Sequence, residues 1–278
     1  MNRYLRIIAL TSVSAGAVIS IDACGLLTRL LPGKAPAGQV SVVMARVDNA
    51  VLMPDAAKED AIVVTVRRDG ALYLGQRMID ISELGVQLRE RAAGKLGGVM
   101  YLRADARTQF RTVEDVIDSM RAAGVDDVGL LTGKKDEATK KEYFARSKPP
   151  ETPRGLDVVT FSSPEMRRLV PIRIPHDIMM TPRTSMGAAM PNENRTIVVQ
   201  ILYRPGGAPL YKINETDVTK ADLLPQLSEI YANRAERILF IKGDDDLNFG
   251  DVAEVVDIAH AAEVDHPGVL TPHVLAGQ

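Results

Sequence analysis

Two hydrophobic periods alternate along this chain. Residues 62–66 form a β-rich run, Asp69-Gly70 supplies a hairpin turn, and residues 71–74 return as a second strand. Asp80 followed by Glu83 is a cap-and-N3 pair that predicts a helix running through Leu84 and Leu88. Val99-Met100-Tyr101-Leu102 is a short apolar run between polar residues, the mark of a buried strand. Thr112 with Asp115 predicts the cap of a second helix. Its stripe of Val113, Val116, Ile117 and Met120 has the i, i+3, i+4, i+7 spacing of one buried face. Gly124 suits a helix stop, and residues 128–132 close with another strand. The order is ββαβαβ.

That order comes round again. Set against residues 219–271 at a constant offset of 139, residues 80–132 are identical at 17 of 53 positions, a match too long to be accidental. Gln87-Leu88 meets Gln226-Leu227, Asp105 meets Asp244, Phe110 meets Phe249, Asp118 meets Asp257, and Leu131-Thr132 meets Leu270-Thr271. Upstream the offset is 135, because a Pro/Gly cluster, Arg204-Pro205-Gly206-Gly207, lengthens one hairpin turn. The second copy has its own cap pairs, Thr219 with Asp222 and Asp251 with Glu254. Its strand is Ile238-Leu239-Phe240-Ile241 and its stripe Val252, Val255, Val256, Ala259. Pro225 should kink its first helix or delay the start. The expected fold class is α+β: two tandem two-layer ββαβαβ domains, residues 40–132 and 156–272, with the helices on one sheet face. The other face, or a sheet edge, is then open to a partner. Residues 133–155 read as a charged, then Pro-rich and stiff, linker, and residues 273–278 as a tail. Pro-ending segments, 47–54 and 170–175, lead into the copies, and residues 176–194 read as an inserted loop.

Residues 1–31 follow neither period. Arg3 and Arg6 precede residues 7–21, which carry no charge, the layout of a signal peptide's basic start and apolar core. Fifteen helical residues reach about 22 Å, short of the roughly 30 Å hydrocarbon layer, so a spanning helix would have to run on past Asp22. The basic start places the bulk of the chain outside the cytoplasm. Three outcomes fit this segment. Ile21-Asp22-Ala23-Cys24 resembles a bacterial lipobox, with Asp22 a departure, which makes Cys24 the lipidation candidate. An uncleaved anchor would hold Asp22 at the bilayer, where an ionisable group is expensive and usually functional. Plain secretion is the third.

Composition narrows the partners. Apolar residues are 46% and charged residues 25%, which excludes a disordered tail protein or a polytopic membrane protein. A net charge of -2 lacks the basic field of a nucleic-acid binder. One cysteine excludes an internal disulfide and a structural zinc site built on thiolates. His260, His266 and His273 lack the i, i+4 pairing of a helical zinc site. Asp244-Asp245-Asp246 lacks the other ligands of a calcium loop and reads as a solvated turn. Gly94, Gly97 and Gly98 have the wrong spacing for a phosphate or dinucleotide loop, and no nucleophile motif is present. The reading is therefore of a protein that is not an enzyme and has no cofactor or metal.

Several of these features together carry a resemblance. Val51-Leu52-Met53-Pro54, the Ile62-Val63-Val64 strand with its Asp69-Gly70 turn, Arg103-Ala104-Asp105, and the stretch from Val113 to Gly124-Val125 resemble the periplasmic domain of the ExbD/TolR family of biopolymer transport proteins. The resemblance implies a membrane-anchored component with its bulk in the periplasm, assembled with an ExbB/TolQ-like membrane protein and acting on a TonB- or TolA-like protein. It implies Asp22 as the proton-path candidate, although Asp22 stands at the end of its apolar run rather than the start. Family domains of this kind pair between chains. A tandem copy on a short linker raises the local concentration of the partner domain, which predicts an intramolecular pseudo-dimer. The other reading is an envelope lipoprotein or structural module, binding peptidoglycan or protein, that has lost the motor role.

Overall fold

Tight turns set the framework of each half. The computed structural model describes residues 40–92, 99–135, 152–160, 162, 196–234, 237–264 and 266–275. After two short strands, β1 (Arg46–Val47) and β2 (Val51–Leu52), and a 3₁₀ turn (Pro54–Ala57), β3 (Val63–Val66) pairs antiparallel with β4 (Leu72–Leu74). Gly70 at the turn has φ +81°, a conformation that costs glycine little. A third strand, β5 (Arg77–Ile79), which the sequence reading does not anticipate, pairs antiparallel with β4. Its two-residue turn places Gly75 at φ +66°, the hairpin geometry that matches strand twist. Helix α1 (Ile81–Ala92) begins where Asp80 accepts the Ser82 amide at 2.9 Å, as the cap pair predicts. Strand β6 (Met100–Ala104), helix α2 (Phe110–Ala122) and strand β7 (Asp127–Lys134) complete the half.

The second half runs through the same order. Strands β9 (Ile197–Leu202), β10 (Leu210–Ile213) and β11 (Thr216–Val218) are followed by α3 (Lys220–Tyr231), β12 (Ile238–Gly243), α4 (Phe249–Ala261) and β13 (His266–Val269). Asn214, at φ +53°, takes the place of Gly75 in the turn, a position asparagine tolerates better than most residues. Thr219 caps α3 by accepting the Asp222 amide at 3.3 Å, and Pro225 sits inside that helix without delaying its start. A last helix, α5 (Pro272–Leu275), occupies part of what the sequence reads as a tail.

Between the halves lies β8 (Arg154–Val159), a strand in residues read as the end of the linker and the start of the second copy. It pairs antiparallel with β7 over Asp127↔Val159 to Thr132↔Arg154, and parallel with β13 at Gly268↔Val159. One sheet results, in the order β11-β10-β9-β12-β13-β8-β7-β6-β3-β4-β5, with β1 on β7 and β2 on β8. The described residues, all from Val40 onward, belong to one compact unit.

Alternation along the strands sorts the apolar side chains by face. Val64, Val66, Leu102, Leu130, Leu156, Val199, Ile201, Leu239 and Ile241 join one buried cluster with the helix stripes Val113, Val116, Ile117, Met120 and Val252, Val255, Val256, Ala259. Each such fully buried aliphatic side chain larger than alanine contributes roughly 1.5–3 kcal/mol. The neighbours of opposite parity form smaller clusters on the other face. Val198, Phe240 and Leu270 pack with Val274 of α5, while Tyr101 and Leu131 pack with Met53. That face is thus partly covered by the segment at Met53 and by α5.

The insertion of β8 depends on a missing side chain. A Cβ at Gly155 would lie 2.3 Å from the Leu130 carbonyl oxygen and 2.6 Å from the Met53 sulfur. Gly155→Ala should therefore destabilise the protein by about 1–3 kcal/mol through overpacking, measured by urea denaturation. An unchanged midpoint would show that β8 does not sit in this slot.

Candidate functional site

Helices need partners for their first amides, and here α2 and α4 find them in each other's half. The caps expected at Thr112 and Asp251 are not used: both helices are entered three residues earlier, after Gln109 and Asn248, whose side chains make no cap bond to the helix amides. Instead Phe110 N donates to Leu247 O at 2.8 Å and Phe249 N donates to Thr108 O at 2.8 Å. Arg111 N donates to Asp245 O at 3.2 Å, and Gly250 N to Ala106 O at 2.8 Å. Every donor and acceptor in one bond lies 139 residues from its counterpart in the other, and Gln109 bridges Asn248, its own counterpart. Phe110 and Phe249 are both buried. Phe110 lies against Gly243, where a Cβ would come within 2.8 Å of the ring.

Buried carboxylates tie further segments to this junction. Asp118 on α2 accepts the Thr271 hydroxyl at 2.6 Å and Arg121 Nε at 3.3 Å. Its counterpart Asp257 on α4 does something different: it accepts the amides of Asp48 at 2.9 Å and Asn49 at 2.7 Å, in the turn between β1 and β2. Thr132, the counterpart of Thr271, then has no partner for its buried hydroxyl among the described residues. Asp105 accepts the Val43 amide at 3.0 Å and pairs with Arg107 at 2.9 Å. The Arg107 hydrogen bond holds the Asp105 carboxyl down at about 2 against the opposing effect of burial. Its contribution to stability is complete above the ordinary carboxylate range and lost as pH falls towards 2. Gly133 N to Ala45 O at 2.8 Å and Met53 N to Pro153 O at 2.7 Å complete the attachment of the segment from residue 43 to 53. That segment is fastened to both halves.

Glu114 is the exception among these acids. It is only 3% exposed, and its Oε2 has no hydrogen-bond partner among the described residues. Burial, followed by the negative charges of Asp245, Asp118 and Asp115, pushes its carboxyl up to about 8, with Lys242 opposing.

The site residues read from the sequence, Cys24 and Asp22, lie outside the described residues, as do the rest of 1–31, linker residues 136–151, residues 170–175, the inserted loop 176–194 and the glycines Gly94, Gly97 and Gly98. Among the described residues no helix is long and apolar enough to cross a membrane, and no group of three or more His, Cys, Asp and Glu is placed to hold a metal. His260 lies 2.9 Å from the Asp157 carbonyl, His266 is in β13 and His273 in α5. Asp244, read as part of a solvated turn, accepts the Tyr203 amide at 2.8 Å. The sequence gives two signals for the residues it leaves unassigned. Asp118 and Asp257 repeat at the same place beside an apolar stripe, and Glu114 stands where the second copy has Ala253.

Residues 33–135 match the family described as Biopolymer transport protein ExbD/TolR. A curated relative, the biopolymer transport protein ExbD of Pseudomonas putida, is 28% identical over 99 residues, covering 33% of this chain and 70% of the relative.

Two substitutions test this geometry. Asp257→Ala should cost about 1–3 kcal/mol, since it strands two backbone donors, and should speed hydrogen exchange at Asp48 and Asn49 above the change elsewhere. Equal exchange in mutant and wild type would contradict the tie. Glu114 binds its proton more tightly folded than unfolded, so its effect is to lower stability as pH rises from about 4.5 to about 8. The stability advantage of Glu114→Gln over wild type should therefore widen between pH 5 and 8 in urea titrations. A gap constant with pH would contradict the raised carboxyl.

Proposed function

We propose that this protein is a membrane-tethered periplasmic component of an energy-transducing biopolymer transport system of the ExbB-ExbD/TolQ-TolR type, carrying a duplicated, paired periplasmic domain within one chain. The observation that supports the pairing best is the exchange of four backbone hydrogen bonds at a single 139-residue offset around Gln109 and Asn248. The family match over residues 33–135 supports the transport role. In this reading residues 1–31 tether the chain, through lipid on Cys24 or through an uncleaved helix carrying Asp22. The role is mechanical and not enzymatic: an ExbB/TolQ-like membrane protein is the assembly partner and a TonB- or TolA-like protein receives the force.

The attachment of residues 43–53 gives this role a physical route. Force arriving from the N-terminal side meets Asp105 in the first half and Asp257 in the second, besides the strand bonds of β1 and β2. Both halves are loaded together, so the pair moves as one body instead of being peeled apart.

Affinity purification of the crosslinked full chain from its native envelope should recover a polytopic, channel-type membrane protein, identified by mass spectrometry. Recovery with cell wall and no such protein would overturn the transport reading in favour of a structural module. Intact mass of the mature protein, beside Cys24→Ala, tests the tether. Lipid on Cys24 that vanishes in the mutant, or a chain retaining residues 1–31, supports it, and an unmodified chain lacking them contradicts it.

A further inference from the structure

Where the halves meet, Glu114 of α2 lines a pocket of about 320 Å³ whose other walls come from the second half. Lys242, Asp245 and Asp246, at the end of β12 and in the loop after it, line it together with Leu270 and Leu275. Three features of this pocket point to a ligand. Glu114, at the wall of this pocket, is more than nine-tenths buried, and its Oε2 has no hydrogen-bond partner among the described residues, a state that native structures rarely leave unexplained. The equivalent position of the second half's helix is Ala253, so a carboxyl at this place is not common to the two helices. The lining is acidic on balance, since among the described residues it holds one cation, Lys242, beside Glu114 and three consecutive aspartates.

We propose that this pocket binds an alkylammonium group, with Glu114 as its buried counter-charge. The ammonium is a compact donor that the Glu114 carboxyl can accept once its side chain turns towards the pocket, its free Oε2 being shielded from solvent, whereas a guanidinium calls for a bidentate acceptor. A metal ion would need several ligating groups brought together, and none are so placed among the described residues. Asp245 and Asp246, both exposed, draw the cation to the mouth, and Leu270 and Leu275 face its methylene stem. Asp244 is already engaged with the Tyr203 amide. The group can arrive on a free diamine or on a lysine side chain of a protein partner.

Binding at Glu114 is coupled to pH. Asp115 and Asp118 on its own helix, with Asp245 opposite, disfavour its ionisation, and Lys242 favours it. An arriving ammonium adds the missing positive charge, so Glu114 ionises and releases its proton. From a free carboxyl at about 8, the release at pH 7 is about 0.9 proton, and apparent affinity rises about tenfold between pH 6 and pH 7.

Isothermal titration calorimetry of the full chain in detergent tests this, with 1,5-diaminopentane as the free-diamine probe and Nα-acetyl-lysine-N-methylamide as the lysine probe. Repeating it in buffers of different ionisation enthalpy counts the released protons. Binding of either probe with near-stoichiometric proton release is expected, and the tighter probe identifies the source. Glu114→Gln should weaken binding at least tenfold and abolish the proton release. Asp246→Asn, at an exposed position with little bearing on folding, should weaken binding a few-fold. No heat with either probe, or binding that is independent of pH and unaffected by Glu114→Gln, would overturn the proposal.

Discussion

Four backbone hydrogen bonds hold the rest of this structure in place. The first turns of α2 and α4 expose amides that nothing in their own sequence caps, and the carbonyls that accept them belong to the loop after the opposite half's central strand. An unmade bond at a buried helix end costs the desolvation of its donor, so each half completes the other at a point where neither is self-sufficient. Phe110 and Phe249 start both helices and are buried there, which removes the water that could otherwise have taken over. From this contact follow the common helix-side core and the closeness of β7 and β13, separated by the single strand β8.

The halves nevertheless differ where they meet the remainder of the chain. Asp118 and Asp257 are equivalent in sequence, yet one holds a hydroxyl of the opposite half and the other holds the turn that follows β1. The segment that precedes the first half thereby reaches across to a helix of the second half. Symmetry gives way again at Glu114, which lines an acidic pocket, while the equivalent position of the second half holds Ala253. A pair made in one chain can specialise its two sides, an option closed to a pair of identical chains.

Much of this was legible in the sequence, for reasons that particular residues make plain. The stripes from Val113 and Val252 are buried because helical periodicity is a local property that packing only confirms. Asp80 and Thr219 cap their helices because their bonds are made within three residues. What escaped depends on distant contacts. The first amides of α2 and α4 are met by carbonyls from the other half, so local cap chemistry puts the helix starts three residues late. Strand β8 has no counterpart in the register of the repeat and hides behind a Pro-rich stretch. Strands β5 and β11 did leave a signal, Gly75-Gln76 and Asn214-Glu215 between short apolar stretches, which is a two-residue hairpin pattern.

A disulfide across the junction tests the central claim, that one chain supplies both members of the pair. Gln109 and Asn248 face each other between the two reciprocal hydrogen bonds, the non-hydrogen-bonded arrangement that brings Cα atoms to about 4.5 Å, within reach of a disulfide. In a Cys24→Ala background, Gln109→Cys with Asn248→Cys should oxidise to a monomer two hydrogens lighter than the reduced chain, by mass spectrometry and non-reducing electrophoresis. Disulfide-linked dimers, with monomers left reduced, would mean that the halves pair between chains and not within one.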